Sequence, residues 1–163
     1  MTVAFAGHRP EGLPYDLASE RGLRLRALLG RMIRERMEKG CGTFYCGAAM
    51  GVDILCGELV LELRQKGFAA KLVCVLPHWG QTARWTEEWR ARHAALLAGA
   101  DEVVCLSERS SRDCYYRRNR YMVDHSDEIL AVYTGAGRGG TAYTLRYAAR
   151  RGKARTVIDP TKV

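Results

Sequence analysis

The sequence predicts an α/β protein: a single Rossmann-like, three-layer domain over residues 1–163, with a mostly parallel sheet of about six strands flanked by helices. Two observations carry that expectation. Apolar, β-branched runs alternate with segments of helical periodicity along the whole chain. The runs are also apolar nearly throughout rather than at every second residue, as in strands covered on both faces. The length suits one domain with a sizeable core and is short for two.

In order, strands are expected at Val3–Gly7, Thr43–Gly47, Lys71–Pro77, Glu102–Ser107, Glu128–Tyr133 and Arg155–Asp159. Helices are expected at Ser19–Lys39, Gly51–Lys66, Thr82–Ala98, Asp113–His125 and Gly140–Arg151. In the first helix Leu25, Leu28, Leu29, Met32 and Ile33 form an apolar stripe, and the arginines between them fall on the solvent side.

Composition narrows the function classes. No apolar run approaches the roughly 18 residues of a membrane span, and the opening "MTVAFAGHRP" turns polar too early for a signal peptide. A cytoplasmic protein with no membrane partner is expected. Six cysteines are present without a CxxC pair, and Cys46, Cys74 and Cys105 fall in or at the end of apolar runs; they read as small hydrophobes, and no metal site is expected. A net charge of +8 favours phosphate-bearing partners, whether free nucleotide or polymer.

In a parallel sheet, ligands bind beyond the carboxyl ends of the strands, so the strand-to-helix turns are the places to look. After the first strand come Gly7, His8 and Arg9, suited either to a plain turn or to an anion and a base. The second strand leads into "CGAAMGVDILCGE". There Gly47, Ala48 and Gly51 precede a helix whose first-turn amides are expected to hold a phosphate, with Asp53 as ribose acceptor, catalytic carboxylate or simple first-turn acid. In "LPHWGQTARW", Gln81 and Trp85 follow the third strand; Trp85 reads as a base cover or as a hydrophobic anchor. Arg118 and Asn119 stand side by side on the fourth helix, so at least one is expected to face the strand ends. Asp124 is a second candidate acid. The last turn, Gly139–Gly140–Thr141 beside Arg138, is the stronger phosphate candidate.

The segments "FAGHRP", "GAAMGVDILCGELVLEL", "LPHWGQTARW", "RRNRYMVDHSDEILAVY" and "GRGGTAYTLRYA" together resemble the YpsA-like branch of the SLOG superfamily, over nearly the whole chain. That superfamily also holds the DNA processing protein A fold and the LOG phosphoribohydrolases. The resemblance implies a Rossmann-like domain that binds a nucleotide-derived ligand: NAD-related, ADP-ribose-like or a nucleoside phosphate. No cofactor is required by it. Gly51 and Asp53 match the family's glycine and acid of the second turn, and Gly139, Gly140 and Thr141 its second phosphate-facing turn. The LOG signature PGGxGTxxE is met only in part: "GAGRGGTAYTL" keeps the GGT and lacks the leading Pro-Gly-Gly and the glutamate.

Binding or sensing of a small nucleotide ligand is therefore the leading expectation. Second is N-glycosidic hydrolysis with Asp53 or Asp124 as acid–base, and third is single-stranded nucleic-acid binding. By analogy with relatives that pair through helices, a homo-oligomer is expected.

Overall fold

A computed structural model covers residues 1–163 and shows a six-stranded sheet between two layers of helices. The strands are β1 (Thr2–Gly7), β2 (Thr43–Cys46), β3 (Lys71–Leu76), β4 (Glu102–Cys105), β5 (Glu128–Val132) and β6 (Ala154–Ile158); the helices are α1 (Glu20–Glu38), α2 (Val52–Gln65), α3 (Glu87–Gly99), α4 (Cys114–Asp124) and α5 (Gly140–Arg150). The sheet runs β4-β3-β2-β1-β5-β6 and every neighbouring pair is parallel, so "mostly parallel" becomes wholly parallel.

Burial follows strand position. The apolar runs of β1, β3 and β5 are buried on both faces, whereas edge strands β4 and β6 are only partly covered. Side-chain alternation divides β1 between two cores. Val3 and Phe5 face α1 and α2, with Phe5 stacked on Phe44 at 5.6 Å, while Ala4 and Ala6 face α4 and α5 beside Met122, Leu145 and Ala148. Small residues on the second face let those helices lie close to the sheet.

The expected helices form, with shifted ends. Ser19 caps α1 by accepting the Gly22 N–H at 3.1 Å, and Leu25, Leu29, Ile33 and Met37 are its buried side. The expected helix from Thr82 begins instead at Glu87. Residues 82–86 form turns, Thr86 takes the cap position, and Glu87 and Glu88 place their charges in the first turn. Strands end a residue or two early, where Gly47, Pro77 and the residues after Cys105 and Val132 leave the ladder.

The chain steps from β1 to β4 in one direction, then crosses back to place β5 on the other side of β1. The connections that follow β1 and β5 therefore diverge to opposite faces of the sheet. A crevice opens at the carboxyl ends of those two strands, which is where a doubly wound sheet takes its ligand. No helix is long and apolar enough to cross a membrane.

Candidate functional site

The crevice is a cleft of about 390 Å³. Its lining comes from the ends of β1 (Gly7, His8, Arg9), the start of α2 (Ala49, Asp53), one face of α4 and the start of α5 (Gly139, Gly140, Thr141, Thr144). From α4 come Tyr115, Arg118, Asn119 and Met122, spaced i, i+3, i+4 and i+7, and so on one side of the helix. Arg118 and Asn119 thus both reach the cleft, since neighbours i+3 and i+4 share a face.

Charge in the cleft is one-sided. Arg9, Arg112, Arg118 and Arg138 line it, against the single carboxylate of Asp53. Arg9, Arg112 and Arg138 are paired with no carboxylate elsewhere. Arg118 is different, because it is buried and its donors are turned inward. Its Nη1 donates to Gly47 O at 2.5 Å and to Val75 O at 3.3 Å, and its Nε donates to Asn119 Oδ1 at 2.8 Å. Burial pulls its pKa down, and the neighbouring Asp53 charge opposes that.

Asp53 is also buried, and burial pushes its carboxyl up to about 6. Arg118, the Ala49 amide and Arg9 each oppose that rise. Near neutrality it therefore keeps a protonated fraction. Gly47 permits this arrangement: a Cβ there would sit 2.7 Å from both Arg118 Nη1 and Asp53 Oδ2. Gln81, expected as a ligand contact, lies behind the cleft instead. Its Nε2 donates to the same Gly47 carbonyl at 3.1 Å, and its Oε1 meets His93 Nε2 at 3.2 Å.

The two helix starts are not equivalent. In the α2 turn, the expected phosphate cradle, the Val52 N–H donates to His8 O and the Ile54 N–H to Ala49 O, so of its first three amides only that of Asp53 has no partner in the protein. Ala48 is wholly buried with φ of 53°, a left-handed conformation unusual for alanine, and does not line the cleft; Gly51, with φ of 93°, lies against the His8 backbone. At α5, Gly140, Thr141 and Ala142 N–H groups donate to nothing in the protein. Gly139 caps that helix with φ of 92°, and no atom would lie within 4 Å of a Cβ on it. These open amides at a helix start, where the macrodipole places partial positive charge, face the cleft beside Arg138.

His8 is fixed by its ring. Nε2 accepts the Thr134 N–H at 3.0 Å, so that nitrogen carries no proton, and burial lowers its pKa, leaving the imidazole neutral. Its ring stacks on Tyr133 at 5.8 Å. Tyr115 stands between two cations, 5.7 Å from the guanidinium carbons of both Arg9 and Arg118.

Two expectations fall outside the cleft. Asp124 ends α4 at the amino side of β5, far along the helix from the strand carboxyl ends. There it accepts from Tyr147 Oη at 3.0 Å and pairs with Arg151 at 3.1 Å. Trp85 packs edge-on against His93 at 5.3 Å beside the α1–α3 core, which is the anchor reading. In return, Arg112, Tyr115 and Thr144 were not singled out as lining residues. The i, i+3, i+4, i+7 pattern from Tyr115, and Thr144 one turn after Thr141, were the signals available.

The model of the YspA SLOG family (YpsA) matches residues 3–161. The chain belongs to this family. Among its relatives, a UPF0398 protein of Bacillus pumilus is 27% identical over 149 residues, covering 90% of this chain and 80% of the relative. One from Shouchella clausii is 27% identical over 151 residues, with 90% and 80% covered. One from Bacillus cereus is 25% identical over 154 residues, with 93% and 84% covered. SLOG membership together with the Rossmann-like sheet points to a nucleotide-related role for this YpsA-family chain.

Proposed function

We propose that the cleft at the ends of β1 and β5 binds a small nucleotide-derived ligand, and that the protein is a binding or sensing domain for it. The observation that carries this reading is the open first turn of α5, Gly139–Thr141, facing a cleft with three cations that have no carboxylate partner, Arg9, Arg112 and Arg138. A phosphate on those amides satisfies donors the protein leaves free, and the helix field favours its charge. Tyr115 and the neutral His8 supply flat, partly apolar surfaces for a base or sugar. In this reading residues 1–163 act as one domain.

Native mass spectrometry of protein purified gently from cells tests it. A co-purifying nucleotide-sized anion, lost on Gly140→Asp, is the expected result; a protein that carries nothing and gains no mass from added mononucleotides or dinucleotides contradicts it.

A second reading rests on Asp53. A carboxyl held near pKa 6 at the cleft wall is suited to protonate a leaving group, as N-glycosidic cleavage requires. Incubation with nucleoside monophosphates and NAD derivatives then releases free base, and Asp53→Asn stops the release.

A further inference from the structure

The basic residues of this protein are unevenly neutralised. Residues 1–105 carry 14 Lys and Arg against 12 Asp and Glu, while residues 106–163 carry 12 against 6. On the α1–α3 side four arginines are answered by acids, Arg24 by Glu20, Arg26 by Glu62, Arg34 by Glu38 and Arg92 by Glu58, while Arg31, Arg84 and Arg90 are not. On the α4–α5 side Arg117, Arg120, Arg146 and Arg150 have no carboxylate, and only Arg151 finds one, in Asp124. Helix α5 contains no acidic residue at all.

Aromatic rings are interleaved with those cations. Tyr116 meets Tyr143 at 4.6 Å, and Tyr143 lies parallel to Tyr147 at 6.4 Å, so three rings climb the seam between the two helices. Tyr116 is 42% exposed, and Arg150 lies over Tyr147 at 5.7 Å. On the other side of α5 a groove of about 370 Å³ is lined by Tyr133, Arg146, Arg150 and Arg155.

We infer that this α4–α5 face is a second binding surface, separate from the small-ligand cleft, and that its occupant is a single-stranded nucleic acid. Unpaired arginines favour a polyanion through counterion release, and tyrosines set among them favour one with flat rings free to stack. A duplex hides its bases and offers only phosphates, so the tyrosine seam discriminates against it. A second copy of this chain is a poor occupant, because the same face would bring arginines against arginines. The surface touches the cleft only at its rim, through Tyr116. It stands or falls independently of what the cleft binds.

The test is fluorescence anisotropy with a labelled oligothymidylate of about twenty nucleotides, single-stranded or annealed to its complement, over a range of salt. Single strands are expected to bind more tightly than the duplex, with affinity falling steeply as salt rises. The exposed pair Arg146→Glu/Arg150→Glu should weaken binding by about tenfold or more, whereas Arg24→Glu/Arg31→Glu on α1, with the same change in net charge, should leave it within about twofold. Absence of binding at low salt, equal affinity for the duplex, or an equal loss in the α1 pair overturns the proposal. The last of these would mean that only overall charge matters.

Discussion

Arg118 Nε donates to Asn119 Oδ1 at 2.8 Å, and this bond decides which way the amide of Asn119 faces. With its oxygen held by the guanidinium, Asn119 turns Nδ2 toward the start of α5, 3.8 Å from where a Cβ on Gly140 would lie. The open amides of α5 thus gain a side-chain donor beside them. An arginine with most of its donors turned inward serves the cleft by orienting its neighbour.

Asn119→Asp keeps the shape and the bond to Arg118 but replaces the donor with a negative oxygen. Loss of a hydrogen bond to a charged group, worth about 1.5–3 kcal/mol, predicts a ten- to hundredfold weaker affinity for a nucleotide probe such as ADP-ribose. Thermal stability should hold. Calorimetric titration and a melting curve of the same sample read both quantities.

Gly47→Ala tests the close approach beneath the cleft. Its Cβ would fall 2.7 Å from Arg118 Nη1 and Asp53 Oδ2, so both buried side chains must shift from the bonds and burial they have now. Overpacking of this kind predicts a loss of about 1–3 kcal/mol in urea unfolding. A neutral result would mean that the pair is looser than its burial indicates.

Asp53 makes stability depend on pH in an unusual direction. Its folded pKa of about 6 lies above the ordinary aspartate value of 3.8, so between those limits the native state holds a proton that the unfolded state has lost. Stability is then lost as pH rises through that window, by up to about 3 kcal/mol. Comparison with Asp53→Asn isolates the effect from other carboxylates: the variant should match the wild type near pH 4 and exceed it in melting temperature above about pH 6. Parallel curves would contradict the buried carboxyl.

Much of the architecture was legible because its cause is local. The apolar runs of β1, β3 and β5 announce strands covered on both faces, and Gly139–Gly140 announces the turn at which α5 begins. What was not legible depends on distant chain segments. The His8 carbonyl that takes the Val52 N–H arrives from another strand, so the occupied start of α2 could not be read from "GAAMGVD". Asp124 resembles a site acid until the direction of α4 is known, because adjacency to a strand does not say which end of the sheet it joins. Gln81 and Trp85 follow a strand as site residues do, yet one is drawn under Gly47 and the other onto His93. Arg112 precedes α4, in a segment with no periodic pattern, so only the folded chain brings it to the cleft that Tyr115, Arg118, Asn119 and Met122 line at helical spacing.

The most direct test is titration calorimetry of ADP-ribose into the wild type and Gly140→Asp. An acid in the first turn of α5 suits the helix field, and a Cβ at this position meets only Asn119 Nδ2 at 3.8 Å, so the fold should be untouched. The account predicts measurable binding to the wild type and none to Gly140→Asp at an unchanged melting temperature. Equal affinity in the two proteins, or no heat from either, would contradict an anion seated on the opening turn of α5.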